Sequence, residues 1–299
     1  MNNKIALHMC YWSGTEVGES IDRIIENTAR IQPDVLEMNP TAFLNLGKDE
    51  RRELRKKIED HGMTVSVNGG LMTDANNTSS ADPMIRKIGL EHCQRVLEAC
   101  ADMGSPYWSG LMHSPWGLKP NMVDTAADIK ETWERSVAAM KEVSKIAEDN
   151  GVVCAVEITN RYEHFLLNTA KDGIAFCDAV DSSYCKILLD TFHMSIEEDN
   201  VAAAIVRGQK SGHLSCIHVG ETNRRIPTGG PSNINWESFK GAIAESGYNG
   251  PIVLEPLPFA ASATAAKASL WRNVMDPNNI ENLVEDGKKA VALMRDLTR

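Results

Sequence analysis

The stretch from Lys186 to Glu197 reads Lys-Ile-Leu-Leu-Asp-Thr-Phe-His-Met-Ser-Ile-Glu. Ile187, Leu188 and Leu189 form a short apolar run without charge, which is typical of a strand buried on both faces of a parallel sheet. The run ends on a carboxylate, Asp190. The pattern therefore predicts that Asp190 lies at the C-terminal end of a buried strand.

Three other stretches repeat this pattern of an apolar run that ends on an ionisable side chain. They are Val152 to Glu157, Leu214 to His218 and Ile252 to Glu255. With the stretch that ends at Asp190, four buried strands in succession are predicted to end on carboxylate or imidazole groups. These residue types can together bind a divalent metal ion.

Strand patterns and amphipathic helix patterns alternate along the whole chain. Strands are predicted at 5–9, 34–38, 65–67, 106–109, 152–157, 187–190, 214–218 and 252–255, and helices at 19–31, 48–61, 82–103, 124–149, 169–180, 199–207, 236–245 and 280–297. A small-residue insertion at 260–269 precedes the last helix. Eight alternating pairs predict parallel strands joined by right-handed crossovers, which close into a (β/α)8 TIM barrel of the α/β class.

A doubly wound open sheet is the competing architecture. It usually carries a GxGxxG turn after the first strand or a P-loop, and the sequence has neither. At 299 residues without an evident linker, we expect one domain over residues 1–299.

The net charge of -10 argues against nucleic acid and anionic membranes as partners, because neither binds a generally acidic surface. A small neutral or weakly charged substrate fits better. The seven cysteines show no CxxC pair, and we interpret them as reduced, buried thiols. The N-terminus resembles no signal peptide, and no apolar run is long enough for a bilayer, so a cytoplasmic protein is expected.

In a barrel, the C-terminal ends of all strands meet at one mouth, so Glu157, Asp190, His218 and Glu255 are expected to converge. Three carboxylates close together repel one another unless a cation lies among them. Oxygen-rich ligands with one imidazole favour Mn²⁺, Mg²⁺ or Co²⁺ over structural zinc. An octahedral ion with four protein ligands keeps two positions that two adjacent sugar oxygens could fill.

At these residues the chain resembles the ketose 3-epimerases, which comprise the D-tagatose, D-psicose (allulose) and L-ribulose 3-epimerases of the xylose-isomerase-like barrel superfamily. The matching segments are Glu157 to Glu163, Asp190 to Met194, His218 to Arg224 and Ile252 to Pro256. The resemblance implies a TIM barrel, Mn²⁺ or a similar ion on the four strand-end ligands, a sugar substrate, and a homodimer or homotetramer.

The same resemblance implies roles in substrate binding. Glu163, His193 and Arg224 look like the residues that hold the C1 and C2 oxygens of a ketose, and Trp116 matches an aromatic residue that lines the family's pocket. Arg224 and His193 can donate to a carbonyl oxygen that becomes negative, which agrees with these roles. His8 and His113 depart from the family pattern, and we expect them to face the far end of the sugar.

The chemistry expected from this site is inversion of carbon 3 of a free ketohexose or ketopentose. Glu157 and Glu255 are predicted to be the acid and base, one on each side of the ion, and the reaction is expected to pass through a cis-enediolate stabilised by the metal. No dedicated phosphate site is visible, which favours an unphosphorylated sugar.

Other functions use related sites. An aldose-ketose isomerase or an eliminase on an oxidised sugar would use the same proton abstraction beside a carbonyl. A DNA-repair endonuclease of the same superfamily would need several further histidines at the ends of strands two to four, where the sequence has Glu37, Asn68 and Ser109. A barrel that only binds sugar is disfavoured, because all the acid-base and metal positions are filled.

Overall fold

The computed structural model describes residues 3–69, 72–260 and 263–299. Eight strands form a closed barrel in sequence order: β1 (Ile5–His8), β2 (Val35–Met38), β3 (Thr64–Asn68), β4 (Tyr107–Gly110), β5 (Val153–Ile158), β6 (Cys185–Asp190), β7 (Leu214–Val219) and β8 (Ile252–Leu254). The helices outside it are α1 (Ile21–Ile31), α2 (Lys48–Asp60), α3 (Pro83–Asp102), α4 (Thr125–Asn150), α5 (Ala170–Val180), α6 (Thr191–Glu197), α7 (Val201–Lys210), α8 (Trp236–Ser246), α9 (Ala263–Lys267) and α10 (Ile280–Leu297).

Every neighbouring pair of strands is parallel, and β8 closes the barrel against β1 with Ile5 opposite Ile252. The predicted (β/α)8 barrel is thereby confirmed, and the open doubly wound sheet is excluded. Closure removes both sheet edges, so the C-terminal ends of all eight strands surround one opening.

Alternation along the strands decides which side chains enter the barrel. Residues two apart share a face of a strand. Below the predicted site, Ala155, Leu188 and Cys216 pack together as one buried cluster with Tyr107. Each lies two residues before a predicted ligand, namely Glu157, Asp190 or His218, so these ligands point into the barrel from the layer above.

Two helices were not predicted from the sequence. Helix α6 has only seven residues and begins directly after Asp190. The carboxylate of Asp190 caps the helix by accepting a hydrogen bond from the backbone N–H of Phe192. Helix α9 lies within the insertion predicted at 260–269, of which residues 261 and 262 are outside the described residues. Strand β8 ends at Leu254, so Glu255 follows the strand by one residue.

The remaining bounds agree with prediction to within three residues, as expected for helix ends that fray and strands that end at a rim. In the described residues, no helix is long and apolar enough to cross a membrane. Six of the seven cysteines are buried, whereas Cys10 is partly buried.

Candidate active site

A cavity opens at the C-terminal ends of the strands. Its lining residues are His8, Cys10, Asn39, Asn68, Gly69, Gly110, Leu111, Trp116, Glu157, Thr159, Glu163, His193, Arg224, Glu255, Leu257, Thr264 and Ala268. Seven of the ten predicted site residues line it directly. Asp190 and His218 lie immediately beneath the lining, where both are buried and opposite each other in the pairing of β6 with β7.

Glu157 and Glu255 enter the cavity from β5 and from the end of β8. Burial and the charge of Glu255 raise the pKa of Glu157, although His193 opposes this rise. Burial alone would raise the pKa of Glu255 as well, but His218, His8 and Arg224 hold it well below its usual range. The two carboxyl groups therefore differ in proton affinity, as the two members of an acid-base pair must.

Glu163 is held by three neighbours. Its Oε1 accepts from Arg224 Nη2 at 3.0 Å and from Asn160 Nδ2 at 3.1 Å, and its Oε2 accepts from Trp116 Nε1 at 2.9 Å. Burial would raise the pKa of Glu163, but Arg224 and His193 lower it overall. An ionised Glu163 thus fixes the loop tryptophan and the arginine against the same wall of the cavity.

Arg224 connects this wall to the predicted metal ligands. Its Nη1 lies 3.5 Å from Oδ2 of Asp190, and its guanidinium carbon lies 3.7 Å from the centre of the Phe192 ring. Arg224 is buried, and its Nε has no hydrogen-bond partner. A buried, stacked guanidinium with one free donor is suited to binding a sugar oxygen.

His193 has a defined proton arrangement. Its Nδ1 accepts the backbone N–H of Asn160 at 3.2 Å, which leaves Nε2 to carry the proton of the neutral ring. Nε2 lies 3.4 Å from Oε1 of Glu157 and 3.8 Å from Oδ2 of Asp190. His193 therefore stands between the two predicted ligands as a hydrogen-bond donor.

His218 lies between two carboxylates. Its Nδ1 is 3.1 Å from Oε2 of Glu255, and its Nε2 is 3.1 Å from Oε2 of Glu37. Burial lowers the pKa of His218, but Glu37 and Glu255 raise it well above its usual value. Neither ring nitrogen has a hydrogen-bond partner, although both are fully buried.

His8 lines the cavity from the end of β1. Its Nδ1 accepts the backbone N–H of Cys10 at 3.0 Å, so the proton of the neutral ring is on Nε2. Burial lowers the pKa of His8 despite the nearby Glu255 and Glu37, which keeps the ring neutral. Nε2 is buried without a hydrogen-bond partner and is a donor available to a ligand.

The structure does not bring His113 into the cavity. Its ring is fully buried outside the barrel, with its centre 5.1 Å from that of His164 and 5.7 Å from that of Phe176. The loop after β4 points Trp116 inward and His113 outward. Sequence position alone could not distinguish these two directions.

Sequence reasoning missed several polar residues of the cavity. Asn39 and Asn68 follow the ends of β2 and β3, the same position in the repeat that identified the predicted ligands. Asn68 Nδ2 donates to Ser109 Oγ at 3.0 Å, and Asn39 Oδ1 accepts from the backbone of Thr41. The strand-end rule could have found both residues, because it applies to amides as well as to charged groups.

The buried donors fit a divalent cation. Within the described residues, ligand atoms of Glu157, Asp190 and His193 lie within 4.8 Å of one another, as do those of His8, Cys10 and Glu255. The four predicted ligands are thus divided between two adjacent groups, with His218 against Glu255. The unpartnered Nδ1 of His218 and three carboxylates at one opening form an oxygen-rich set of the kind that binds Mn²⁺, Mg²⁺ or Co²⁺.

Comparison with known proteins agrees with this fold. Residues 25–273 match the family described as Xylose isomerase-like TIM barrel, which is most of the chain. The chain belongs to this family.

The similar proteins include several ketose 3-epimerases. The chain is 32% identical over 293 residues to the D-psicose 3-epimerase of Ruminiclostridium cellulolyticum, covering 98% of this chain and 97% of the relative. It is 30% identical over 277 residues to the L-ribulose 3-epimerase of Mesorhizobium japonicum, covering 92% and 89%.

The crystal structure of D-psicose 3-epimerase with D-tagatose from Clostridium cellulolyticum H10 superimposes with a TM-score of 0.90 at 31% sequence identity, over 99% of both chains. The resemblance to the ketose 3-epimerases predicted from sequence is thereby confirmed. The chain is an isomerase of the class of carbohydrate epimerases.

Proposed function

We propose that this protein is a metal-dependent ketose 3-epimerase that inverts carbon 3 of a free ketohexose or ketopentose through a cis-enediolate. The observation that carries the proposal is the placement of Glu157 and Glu255 in one cavity, reached from β5 and from the end of β8. Inversion needs one group to remove a proton and another to return one to the opposite face of the carbon. Two separately positioned carboxyl groups meet that need.

Glu157, Asp190, His218 and Glu255 would hold the cation, with Mn²⁺ favoured and Mg²⁺ or Co²⁺ as alternatives. When bound, a divalent ion supplies positive charge that stabilises negative sugar oxygens and orients the substrate. Asp190 suits this role because helix α6 occupies only its Oδ1, through the N–H of Phe192. Its Oδ2 faces Arg224 and His193.

The proton transfers are assigned to the two glutamates. One carboxylate accepts the C3 proton, the C3–H electrons form the C2–C3 double bond, and the carbonyl oxygen at C2 becomes negative. The other carboxyl group then delivers a proton to the opposite face of C3. After the reaction, the carboxylate that accepted the proton is protonated, and the carboxyl group that delivered a proton is ionised. The two groups have exchanged protonation states.

Glu163, His193 and Arg224 are proposed to hold the C1 and C2 oxygens. His193 Nε2 and the free Nε of Arg224 are hydrogen-bond donors on two residues that line the cavity. Donors fixed in place before the reaction stabilise a developing negative oxygen without having to reorient. Glu163 positions Arg224 and can accept a bond from a sugar hydroxyl.

Trp116 and His8 are proposed to contact the far end of the sugar. His8 offers a neutral Nε2–H donor, and the Trp116 ring is held by Glu163. A neutral donor suits a hydroxyl group better than an anion, and Glu255 and Glu37 lie close enough to His8 to repel an anion. These contacts support a free sugar over a phosphorylated one.

A screen of ketoses and aldoses tests the proposal, with product identified by proton NMR. We expect a ketohexose or ketopentose to change configuration only at C3, to lose all turnover in EDTA and to recover it with added Mn²⁺. Formation of an aldose would identify the alternative aldose-ketose isomerase, and loss of water from an oxidised sugar would identify the eliminase. A homodimer or homotetramer is the assembly we propose, and light scattering during chromatography tests it.

A further inference from the structure

We propose that Glu37 is a positioning residue for the metal site. From β2, it fixes the proton of His218 on Nε2 and so leaves Nδ1 free as a metal ligand beside Glu255. This inference rests on the proposed role of His218 in metal binding. Glu37 does not line the cavity, so its action on substrate or metal must pass through His218.

Glu37 is a fully buried carboxylate inside the barrel. Its Oε1 accepts from Ser66 Oγ at 3.1 Å on β3 and from Tyr107 Oη at 3.0 Å on β4. Burying a carboxylate is costly unless it is paired and hydrogen-bonded. Because two hydroxyl groups hold its carboxylate, Glu37 has a defined position from which to act on its third neighbour.

That neighbour is His218, which lies across the barrel on β7. Glu37 Oε2 is 3.1 Å from Nε2, within ion-pair distance, yet neither atom is aligned for a hydrogen bond. On the other side of the ring, Nδ1 is 3.1 Å from Glu255 Oε2 and is likewise unpartnered. Glu37, His218 and Glu255 thus form a continuous series of polar groups from the barrel interior to the cavity.

Only one arrangement satisfies all three groups with a neutral ring and a cation. If Nε2 carries the proton, that proton lies beside the negative Glu37 carboxylate, which attracts it without an aligned hydrogen bond, and the lone pair of Nδ1 lies on the side of Glu255. The opposite tautomer would put two lone pairs together at Glu37 and would leave Nδ1 unable to bind a metal. Carboxylates that orient a metal-binding histidine in this way commonly raise the metal affinity by a factor of about 10 to 100.

The test measures Mn²⁺ binding by isothermal titration in the complete protein after EDTA treatment and dialysis. We compare wild type with Glu37→Gln and Glu37→Met. The methionine removes the acceptor and the charge, so we expect its dissociation constant for Mn²⁺ to rise by about 10-fold to 100-fold. The glutamine keeps an acceptor oxygen because Ser66 and Tyr107 can accept from its amide group, so its loss should be smaller.

Thr28→Val is the matched control, because it also removes a buried polar group that makes a hydrogen bond. Thr28 accepts from Trp12 Nε1 at 2.9 Å, outside the cavity. Thermal unfolding of each metal-free variant measures how far it is destabilised. We expect Thr28→Val to lose stability without losing Mn²⁺ affinity, whereas Glu37→Met loses affinity beyond what its stability explains.

A second readout reports the tautomer directly. Long-range proton-nitrogen NMR of the Mg²⁺-loaded protein, with His218 assigned by the His218→Gln variant, should show the ring proton on Nε2. A proton on Nδ1, or an unchanged Mn²⁺ affinity in Glu37→Met, would overturn the role of Glu37 while the metal site itself stands. If wild type shows no saturable Mn²⁺ binding, the proposed function fails together with this inference.

Discussion

His193 Nε2 lies 3.4 Å from Oε1 of Glu157, and the ring is fixed from behind by the backbone N–H of Asn160. The carboxylate assigned to proton transfer therefore faces a donor whose tautomer is already determined. Burial raises the pKa of Glu157, and the donor opposes that rise. His193 opposes the rise without cancelling it, so Glu157 is the carboxyl group that more readily carries a proton, whereas Glu255 is held ionised.

Glu157→Gln should lower kcat for C3 epimerisation by about 10² to 10⁴, because an amide cannot accept the proton. The side chain keeps its size, so we expect the circular dichroism spectrum to be unchanged. Product NMR at saturating Mn²⁺ measures the rate. Glu245→Gln makes the same chemical change on the exposed surface and should leave kcat unaltered. A Glu157→Gln enzyme with more than a tenth of wild-type kcat would contradict the assignment.

Arg224→Met should destabilise the fold by about 3 to 5 kcal/mol, since it leaves the buried carboxylates of Glu163 and Asp190 without their cation. Urea unfolding of the metal-free protein measures the change. Arg30→Met is the matched control, because the side chains of Arg30 and of its partner Glu281 are both exposed. Its cost should stay below about 1 kcal/mol. Equal costs for both variants would show that the buried network contributes no more than a surface pair.

Stability should fall as the pH drops below 6.5, because burial lowers the pKa of His164 from 6.5 to about 3. The unfolded chain then binds a proton that the folded chain excludes, so unfolding becomes more favourable. The free energy of unfolding should fall by about 2 kcal/mol from this residue between about pH 7 and pH 5. Burial also lowers the pKa of His113, in the same direction.

His164→Asn removes the titrating ring and keeps an acceptor for the N–H of Leu166, which bonds His164 Nδ1 at 3.1 Å. Urea unfolding at the two pH values should show a smaller loss in this variant than in wild type. Equal losses in both proteins would mean that His164 stays neutral in the unfolded chain too, or takes up a proton without unfolding.

His8→Phe should lower kcat/KM for a ketohexose by about 3-fold to 10-fold, the value of one neutral hydrogen bond. The substitution keeps an aromatic ring and removes the Nε2–H donor. A ketotetrose lacks the far hydroxyl groups, so its kcat/KM should hardly change. Steady-state kinetics with both sugars measures the ratio. If both substrates lose the same factor, His8 acts on the reacting end rather than the far end.

Most of the barrel could be predicted because its pattern is local. Each apolar run, such as Ile187 to Leu189, is typical of a strand buried on both faces. Each run is followed by a polar residue at its C-terminal end. Helix α6 escaped prediction because seven residues contain too few turns for a periodic signal. The helix depends instead on the cap supplied by Asp190, a residue interpreted only as a metal ligand.

The candidate site also contains residues that could be predicted from a local pattern and residues that could not. Residues predicted from strand ends, such as Glu157, lie at the cavity, since the end of a parallel strand has a fixed place in a closed barrel. His113 lies in a loop, where neighbouring side chains can point in opposite directions, and its ring is buried beside Phe176. The position of a residue in a strand therefore predicts the direction of its side chain, whereas its position in a loop does not.

The sequence by itself determined the alternation of strands and helices and the ring of carboxylates and imidazole at one end of the strands. These features follow from residue spacing within each short segment. Only the tertiary structure decided that Glu37 meets His218 across the barrel and that Trp116 donates to Glu163. Such contacts join residues far apart in the chain. Closure of the barrel brings Glu37 on β2 close to His218 on β7, and the pairing of β4 with β5 brings together the loops that carry Trp116 and Glu163.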